Sequence, residues 1–158
     1  MRILFVCLGN ICRSTAAQAI FQHLVDERGL HNAIEVDSAG TYGGHAGQLA
    51  DARMIRHATR RGYELTHRAR RVEPSDFDRF DKIIAMDYNN AHDLRRLAPS
   101  REAAMKICEM INFIDNYPAY DEVPDPYYGG ASGFELVLDM LEEGCHNLLT
   151  QVSSELTE

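Results

Sequence analysis

Arg2-Ile3-Leu4-Phe5-Val6-Cys7-Leu8-Gly9-Asn10-Ile11-Cys12-Arg13-Ser14 is the stretch from which the fold can be read. Its first five residues form a short apolar, β-branched run, the composition of a strand buried on both faces, so Cys7 falls at a strand's carboxyl end. Past the loop, Ala16, Ala17, Ile20, Phe21, Leu24 and Val25 recur at helical spacing. They predict a helix from near Arg13 to Gly29, a suitable C-terminal breaker. This order turns the loop amides and the helix N-terminus toward one point. Such a nest binds a dianionic phosphate and favours an anionic sulfur over a neutral thiol.

The Cys7-to-Arg13 offset alone is weak, since composition supplies it about 0.35 times in a chain like this. The strand and helix around it carry the inference. Thiolate is the nucleophilic form of cysteine, and the planar fork of Arg13 matches two phosphate oxygens as lysine could not. Ser14 can donate a hydrogen bond to the sulfur, and Gly9 and Asn10 suit left-handed backbone in a loop wrapped round an anion.

A second chemical signal lies far along the chain, at Asp125-Pro126-Tyr127-Tyr128-Gly129-Gly130. Proline and glycine punctuate a loop that holds a carboxylate beside two aromatics. Hydrolysis of an aryl phosphate needs an acid for the departing phenolate and then a base for water, and one carboxyl can serve both steps. Tyr127 and Tyr128 would wall a phenol ring, a contact worth roughly 0.5 to 1.5 kcal/mol beyond area burial.

The run Val6–Ser14 resembles the signature loop of the low molecular weight protein-tyrosine phosphatases. Further segments resemble that family in its own order: Asp37-Ser38-Ala39-Gly40-Thr41, His67-Arg68-Ala69-Arg70, Asp76-Phe77, Phe80-Asp81, Ile84-Ala85-Met86-Asp87, Asn89 with Asp93-Leu94, and Asp125–Gly129. The resemblance implies Cys7 as nucleophile, Arg13 as phosphate binder and Asp125 as general acid and base. It also implies substrate contacts from Leu8, Gly9, Asn10, Ile11, Cys12, Ser14, Tyr127 and Tyr128, with Ser38 and His67 beneath the loop. Cys12 would be the thiol that meets an oxidised Cys7. Two departures stand out: Thr15 replaces a common proline, and Gly43-Gly44-His45 replaces a bulky aromatic, leaving Tyr42 the nearest ring.

Three rivals share parts of the pattern. An arsenate reductase of this fold needs redox cysteines in a mobile segment, and Phe77–Met105 has none; Cys108 and Cys145 read as structural thiols. Protein-arginine phosphatases usually carry threonine where this chain has Ile11. A phosphotyrosine reader with a dead site would lack the nucleophile, the arginine or the acid.

Further strand-like runs at Ile34–Val36, Lys82–Met86 and Lys106–Cys108 alternate with helical patterns. The expected fold is therefore α/β, a three-layer, doubly wound parallel sheet of about four strands flanked by helices, in one domain over 1–158. Phe134, Val137, Leu138, Leu141, Cys145, Leu148 and Val152 form a helical stripe expected to cover one sheet face. The 158 residues, 45% hydrophobic, suffice for a core, and no apolar run is long enough to span a membrane.

No signal peptide is expected, and unpaired-looking cysteines suit a reducing compartment, the cytoplasm by default. Net charge is −8, yet seven arginines fall between Arg53 and Arg71. They lack the aromatics or module of a nucleic-acid binder and are expected to form a solvated helix face. The expected partners are a phosphotyrosine protein or peptide, with phosphate or another oxyanion in the loop. No nucleic acid, membrane, metal or cofactor is expected, and the chain is expected to act as a monomer or weak dimer.

Overall fold

The structure, a computed structural model, describes residues 1–157; Glu158, the last residue of the expected domain, lies outside the described residues. Four parallel strands, β1 (Arg2–Cys7), β2 (Glu35–Gly40), β3 (Lys82–Ala85) and β4 (Ile107–Glu109), form one sheet in the order β2-β1-β3-β4. The chain winds from β1 to one side and then crosses back to the other. A crevice therefore opens outside the carboxyl ends of β1 and β3, where such folds place ligands. Cys7 stands there, in register with Gly40 of β2.

Central β1 is the buried strand its composition predicts. Ile3, Leu4, Phe5 and Val6 have no exposed surface, and the period of two deals them alternately to the two faces. Ile3 and Phe5 join Ala17, Ile20 and Phe21 of α1 (Arg13–Glu27), with Phe134, Leu138, Leu141 and Leu148 of the long C-terminal helix Ala131–Leu156. Leu4 and Val6 join Ile83, Ala85, Phe77, Phe80 and Leu94 on the opposite face. Each such side chain contributes about 1.5 to 3 kcal/mol relative to exposure. The sheet is thereby a rigid floor for the loop that leaves β1.

The remaining helices are α2 (Ala52–Arg60), α3 (Asp76–Arg79), α4 (Tyr88–Leu97), α5 (Arg101–Ala104) and α6, the C-terminal helix, with 3-10 turns at Met110–Phe113 and Pro126–Tyr128. The stripe on α6 is buried as expected. Of the run Ile34–Val36, only Glu35 and Val36 enter β2, which continues to Gly40. Its polar residues Asp37 and Ser38 carry no strand signal, because side chains distant in sequence hold them in place.

The basic segment departs from expectation. Arg61 leaves α2 for the acidic edge of α6, pairing with Glu135 at 3.1 Å and Asp139 at 2.9 Å. Arg70 bridges Asp37 and Asp76, each at 3.0 Å. Arg53 binds Asp51 at 2.9 Å. Arg53 pairs locally, and Arg56, Arg60, Arg68 and Arg71 are exposed. Arg61 and Arg70 are tertiary ties rather than a solvated helix face, and their acidic partners lie up to 81 residues away, so no local charge pattern reveals them.

Candidate active site

Asn10 is the hub of the loop between β1 and α1. It is buried, and among the described residues it alone, apart from glycines, has positive φ, at 58°. The backbone N–H of Arg70 donates to its Oδ1 at 3.0 Å, which fixes the amide's orientation, and His67 Nε2 lies 3.0 Å from the same oxygen. Its Nδ2 donates to Ser14 Oγ at 2.7 Å and to Ser38 Oγ at 3.0 Å. A left-handed backbone costs about 1 to 2 kcal/mol for a residue with a Cβ, and this saturated amide offsets it.

The network continues to the sulfur. Ser38 donates to Gln18 Oε1 at 2.5 Å, and Ser14 Oγ lies 3.0 Å from Cys7 Sγ. Because Asn10 already donates to Ser14 Oγ, that hydroxyl's own proton is free for the sulfur. Burial lowers the His67 pKa below its usual value; Asp37 opposes this and Arg70 adds to it. A neutral ring carrying its proton on Nε2 completes Asn10's hydrogen bonds.

Gly40 sets how closely β2 approaches the loop. A Cβ there would lie 2.6 Å from the Leu8 carbonyl oxygen and 3.1 Å from the Asn10 nitrogen. Only glycine lets Thr41 N–H and Tyr42 N–H donate to the Cys7 and Leu8 carbonyls, at 3.0 and 2.9 Å.

Arg13 is almost fully buried, and its Nη1 donates to Asp87 Oδ2 at 2.7 Å and to the Val123 carbonyl at 3.0 Å. Asp87 is held in turn as the N-cap of α4, in a reciprocal capping box with Asn90. Val123 also donates its N–H to Met86 at the end of β3. It thereby anchors the loop that brings Asp125 Oδ2 to 3.5 Å from Arg13 Nη2. The other oxygen of Asp125 accepts from Tyr127 N–H at 3.0 Å, starting the turn Pro126–Tyr128.

A narrow cleft of about 180 Å³ lies between these loops, lined by Cys7, Leu8, Gly9, Ile11, Cys12, Arg13, Asp125, Tyr127 and Tyr128. Tyr42 and His45 line it too, so the segment around the glycine pair does supply a wall. Tyr127 is 38% exposed and packs edge-on against Tyr128, which is 89% exposed; the first is wall and the second rim. Cys12 is a free thiol, as is Cys7. Burial, with Asp51 and Cys7 adding to it, pushes the Cys12 thiol well above its ordinary range and keeps it protonated.

The model of the low molecular weight phosphotyrosine protein phosphatases matches residues 2–158. The chain belongs to that family. A low molecular weight protein-tyrosine-phosphatase of Streptomyces coelicolor is 42% identical over 98% of this chain and 95% of its own. A crystal structure of a protein tyrosine phosphatase from Entamoeba histolytica, with Hepes in its active site, superposes with a TM-score of 0.94 at 43% identity, covering 98% of both chains. Drosophila arginine phosphatase superposes with a TM-score of 0.89 at 33% identity, covering 96% of this chain and 98% of its own. The family's members are cysteine-dependent phosphatases that act on phosphoproteins, and this chain has their four-stranded α/β fold.

The phosphatase cleft gathers every residue expected to line it except Asn10 and Ser14, which lie beneath with Ser38 and His67. Several supports were not anticipated from sequence. Asp87 and Asn90 carry the Asp-x-x-Asn signature of a helix start, but nothing local says that the cap also grips Arg13. Asp51 and Arg53 form a brace between the two loops. Asp51 N–H donates to the Ile11 carbonyl at 2.8 Å, and Arg53 donates to the Tyr127 carbonyl at 2.9 Å. The Arg53 guanidinium also lies over the rings of Tyr127 and Phe134.

Proposed function

We propose that the chain is a phosphotyrosine phosphatase in which Cys7, Arg13 and Asp125 perform the chemistry. The observation that carries the reading is the juxtaposition of Arg13 and Asp125 across a cleft floored by Cys7. Phosphate takes the place of the Asp125 carboxylate at Arg13 Nη2, held by the loop amides of residues 8–13 and by that edge of the guanidinium. Cys7 Sγ attacks phosphorus in line, and the bond from phosphorus to the phenolic oxygen breaks as Asp125 delivers its proton to that oxygen. Water, deprotonated by Asp125, then attacks the cysteinyl-phosphate, and the S–P bond breaks to release phosphate and the Cys7 thiolate. Ser14 stabilises that leaving sulfur with its free hydroxyl proton.

Leu8, Gly9, Ile11 and Cys12 shape the phosphate cradle, while Tyr127 and Tyr128 flank the ring. Asn10, Ser38 and His67 hold the cradle's backbone. An oxyanion fits such a loop, in keeping with the sulfonate buffer held by the Entamoeba enzyme. Should peroxide convert Cys7 to a sulfenic acid, the Cys12 thiol in the same cleft can condense with it, forming a disulfide and releasing water.

All these groups come from one chain and one domain, so a monomer or weak dimer suffices. No helix among the described residues is long and apolar enough to cross a membrane, and the free thiols suit cytoplasmic work.

Initial rates on matched phosphotyrosine, phosphoserine and phosphoarginine peptides, and on arsenate with thioredoxin, test the assignment. Phosphotyrosine is expected to be fastest, and Cys7→Ser to bind that peptide without turning it over. A phosphoarginine preference or arsenate turnover overturns the substrate reading; near-native turnover by Cys7→Ser overturns the nucleophile.

A further inference from the structure

The catalytic cleft does not end at its rim. It shares Leu8 and Tyr42 with a shallow depression lined by Gly43, Gly44, Arg71 and Asp93. That depression shares Arg71 and Asp93 with another, toward α4, whose wall includes Arg96. The cleft and the two depressions therefore adjoin in a row, a groove that runs from the thiol past a pair of glycines to two arginines.

The groove's floor depends on those glycines. A Cβ on Gly44 would lie 2.2 Å from the Tyr42 ring, and one on Gly43 would lie 3.1 Å from Arg71 Cδ. The bare glycines let the Tyr42 ring and the Arg71 stem pack down against the backbone, which fixes both side chains beside the cleft.

The charges point the same way. Arg70 is saturated by Asp37 and Asp76, and Arg61 by the acids of α6. Arg71 and Arg96 are exposed, and among the described residues their guanidinium groups have no hydrogen-bond or ion-pair partner. Other arginines are also unengaged, Arg56 and Arg60 among them, but Arg71 and Arg96 are the two that line one depression beside the cleft. Thr41, which lines both depressions, has a buried hydroxyl with no partner. Asp93 and Glu73 also line the groove, so its formal charge is balanced and only the two guanidinium groups offer donors to an anion. It therefore suits one or two acidic side chains rather than a long acidic run.

A phosphotyrosine within a polypeptide must send its flanking chain out of the cleft along some surface. We propose that this groove takes one flank of the substrate and selects an acidic side chain there, with Arg71 and Arg96 as its recognising forks. The proposal rests on the phosphotyrosine reading of the cleft.

Phosphotyrosine peptides with glutamate, alanine or lysine at successive positions on either flank test it, with p-nitrophenyl phosphate as a substrate that fills the cleft alone. The expected result is a preference for glutamate over alanine on one flank only. It should be roughly three- to tenfold in kcat/KM, the scale of one or two exposed ion pairs, carried mainly by KM and reduced by salt. In Arg71→Gln/Arg96→Gln the preference disappears, and in Arg96→Glu, an exposed position in the last turn of α4, it weakens or turns toward lysine. Turnover of p-nitrophenyl phosphate stays near its original rate in both variants.

Equal rates for glutamate and alanine peptides, or a preference that survives in the double variant, overturn the groove alone. Failure to hydrolyse any phosphotyrosine peptide overturns the groove and the reading of the cleft together.

Discussion

The phosphate loop, residues 7–14, and the acid loop, residues 123–130, face each other across the cleft but are held in different ways. The first is buried and rooted in a central strand, with Asn10 bonded on all sides and Gly40 pressed beneath it. The second is largely exposed, anchored by the backbone of Val123, the cap of Asp125 and the brace of Arg53. Placing amides round a dianion demands prior order, because a flexible loop would lose entropy at each binding event. The acid must instead admit a bulky ring and release it, which suits a loop fastened at one edge.

Replacing the acid tests this division most severely. Asp125→Asn should lower turnover by roughly 10²- to 10⁴-fold, with the greatest loss for poor leaving groups in a series of aryl phosphates. An equal loss for every leaving group would make Asp125 a structural cap and leave the acid loop without chemistry.

The phosphate loop can be broken from beneath. Asn10→Ala removes both ends of the amide network and leaves an alanine in left-handed backbone, and should cost about 2 to 3 kcal/mol of stability by denaturant melts. A misplaced cradle should also lower turnover by about 10²-fold. Asn10→Gly relieves the backbone but not the lost bonds, so comparing the two variants separates strain from support.

Arg53→Ala cuts the brace on its acid-loop side, while Asp51 keeps its own N–H bond to the phosphate loop. Losing the hydrogen bond and ring contact to Tyr127 should lower kcat roughly two- to tenfold, with little change in inhibition constant for inorganic phosphate. A large loss of phosphate affinity would mean that the brace serves the cradle instead.

The smallest effect concerns pH. His67 resists protonation in the folded state, so the unfolded chain takes up the proton first as pH falls through the usual histidine value of 6.5. Stability is then full above that value and declines below it, toward the depressed folded pKa. His67→Gln keeps a donor for Asn10 and should flatten this part of the curve of urea midpoint against pH.

The parts of the site legible in the sequence are those whose chemistry is local. An apolar run, a loop and a helical period suffice to put Cys7 at the end of a buried strand, because burial and periodicity act over a few residues. Asp125 was legible only by its company, a carboxylate among proline, glycine and two tyrosines. The supports of Arg13 and of the acid loop were not legible. Asp87 and Val123 lie 74 and 110 residues from Arg13, and in sequence they are merely a helix cap and one more valine.

The basic segment shows the same limit from the other side. Its seven arginines look alike in sequence, yet Arg61 and Arg70 hold the fold together, Arg53 holds the acid loop, and Arg71 has no partner among the described residues. A charge's role depends on which opposite charge the fold brings within about 4 Å, and the order of residues does not encode that distance.

The sequence by itself determined the thiol, the arginine, the acid, the strand beneath them and the family they mark, since these rest on side-chain chemistry and short-range periodicity. Only the tertiary structure decided how the two loops face each other and which arginines are engaged. Those outcomes come from contacts between segments far apart in the chain, which form only when both faces of the sheet are buried.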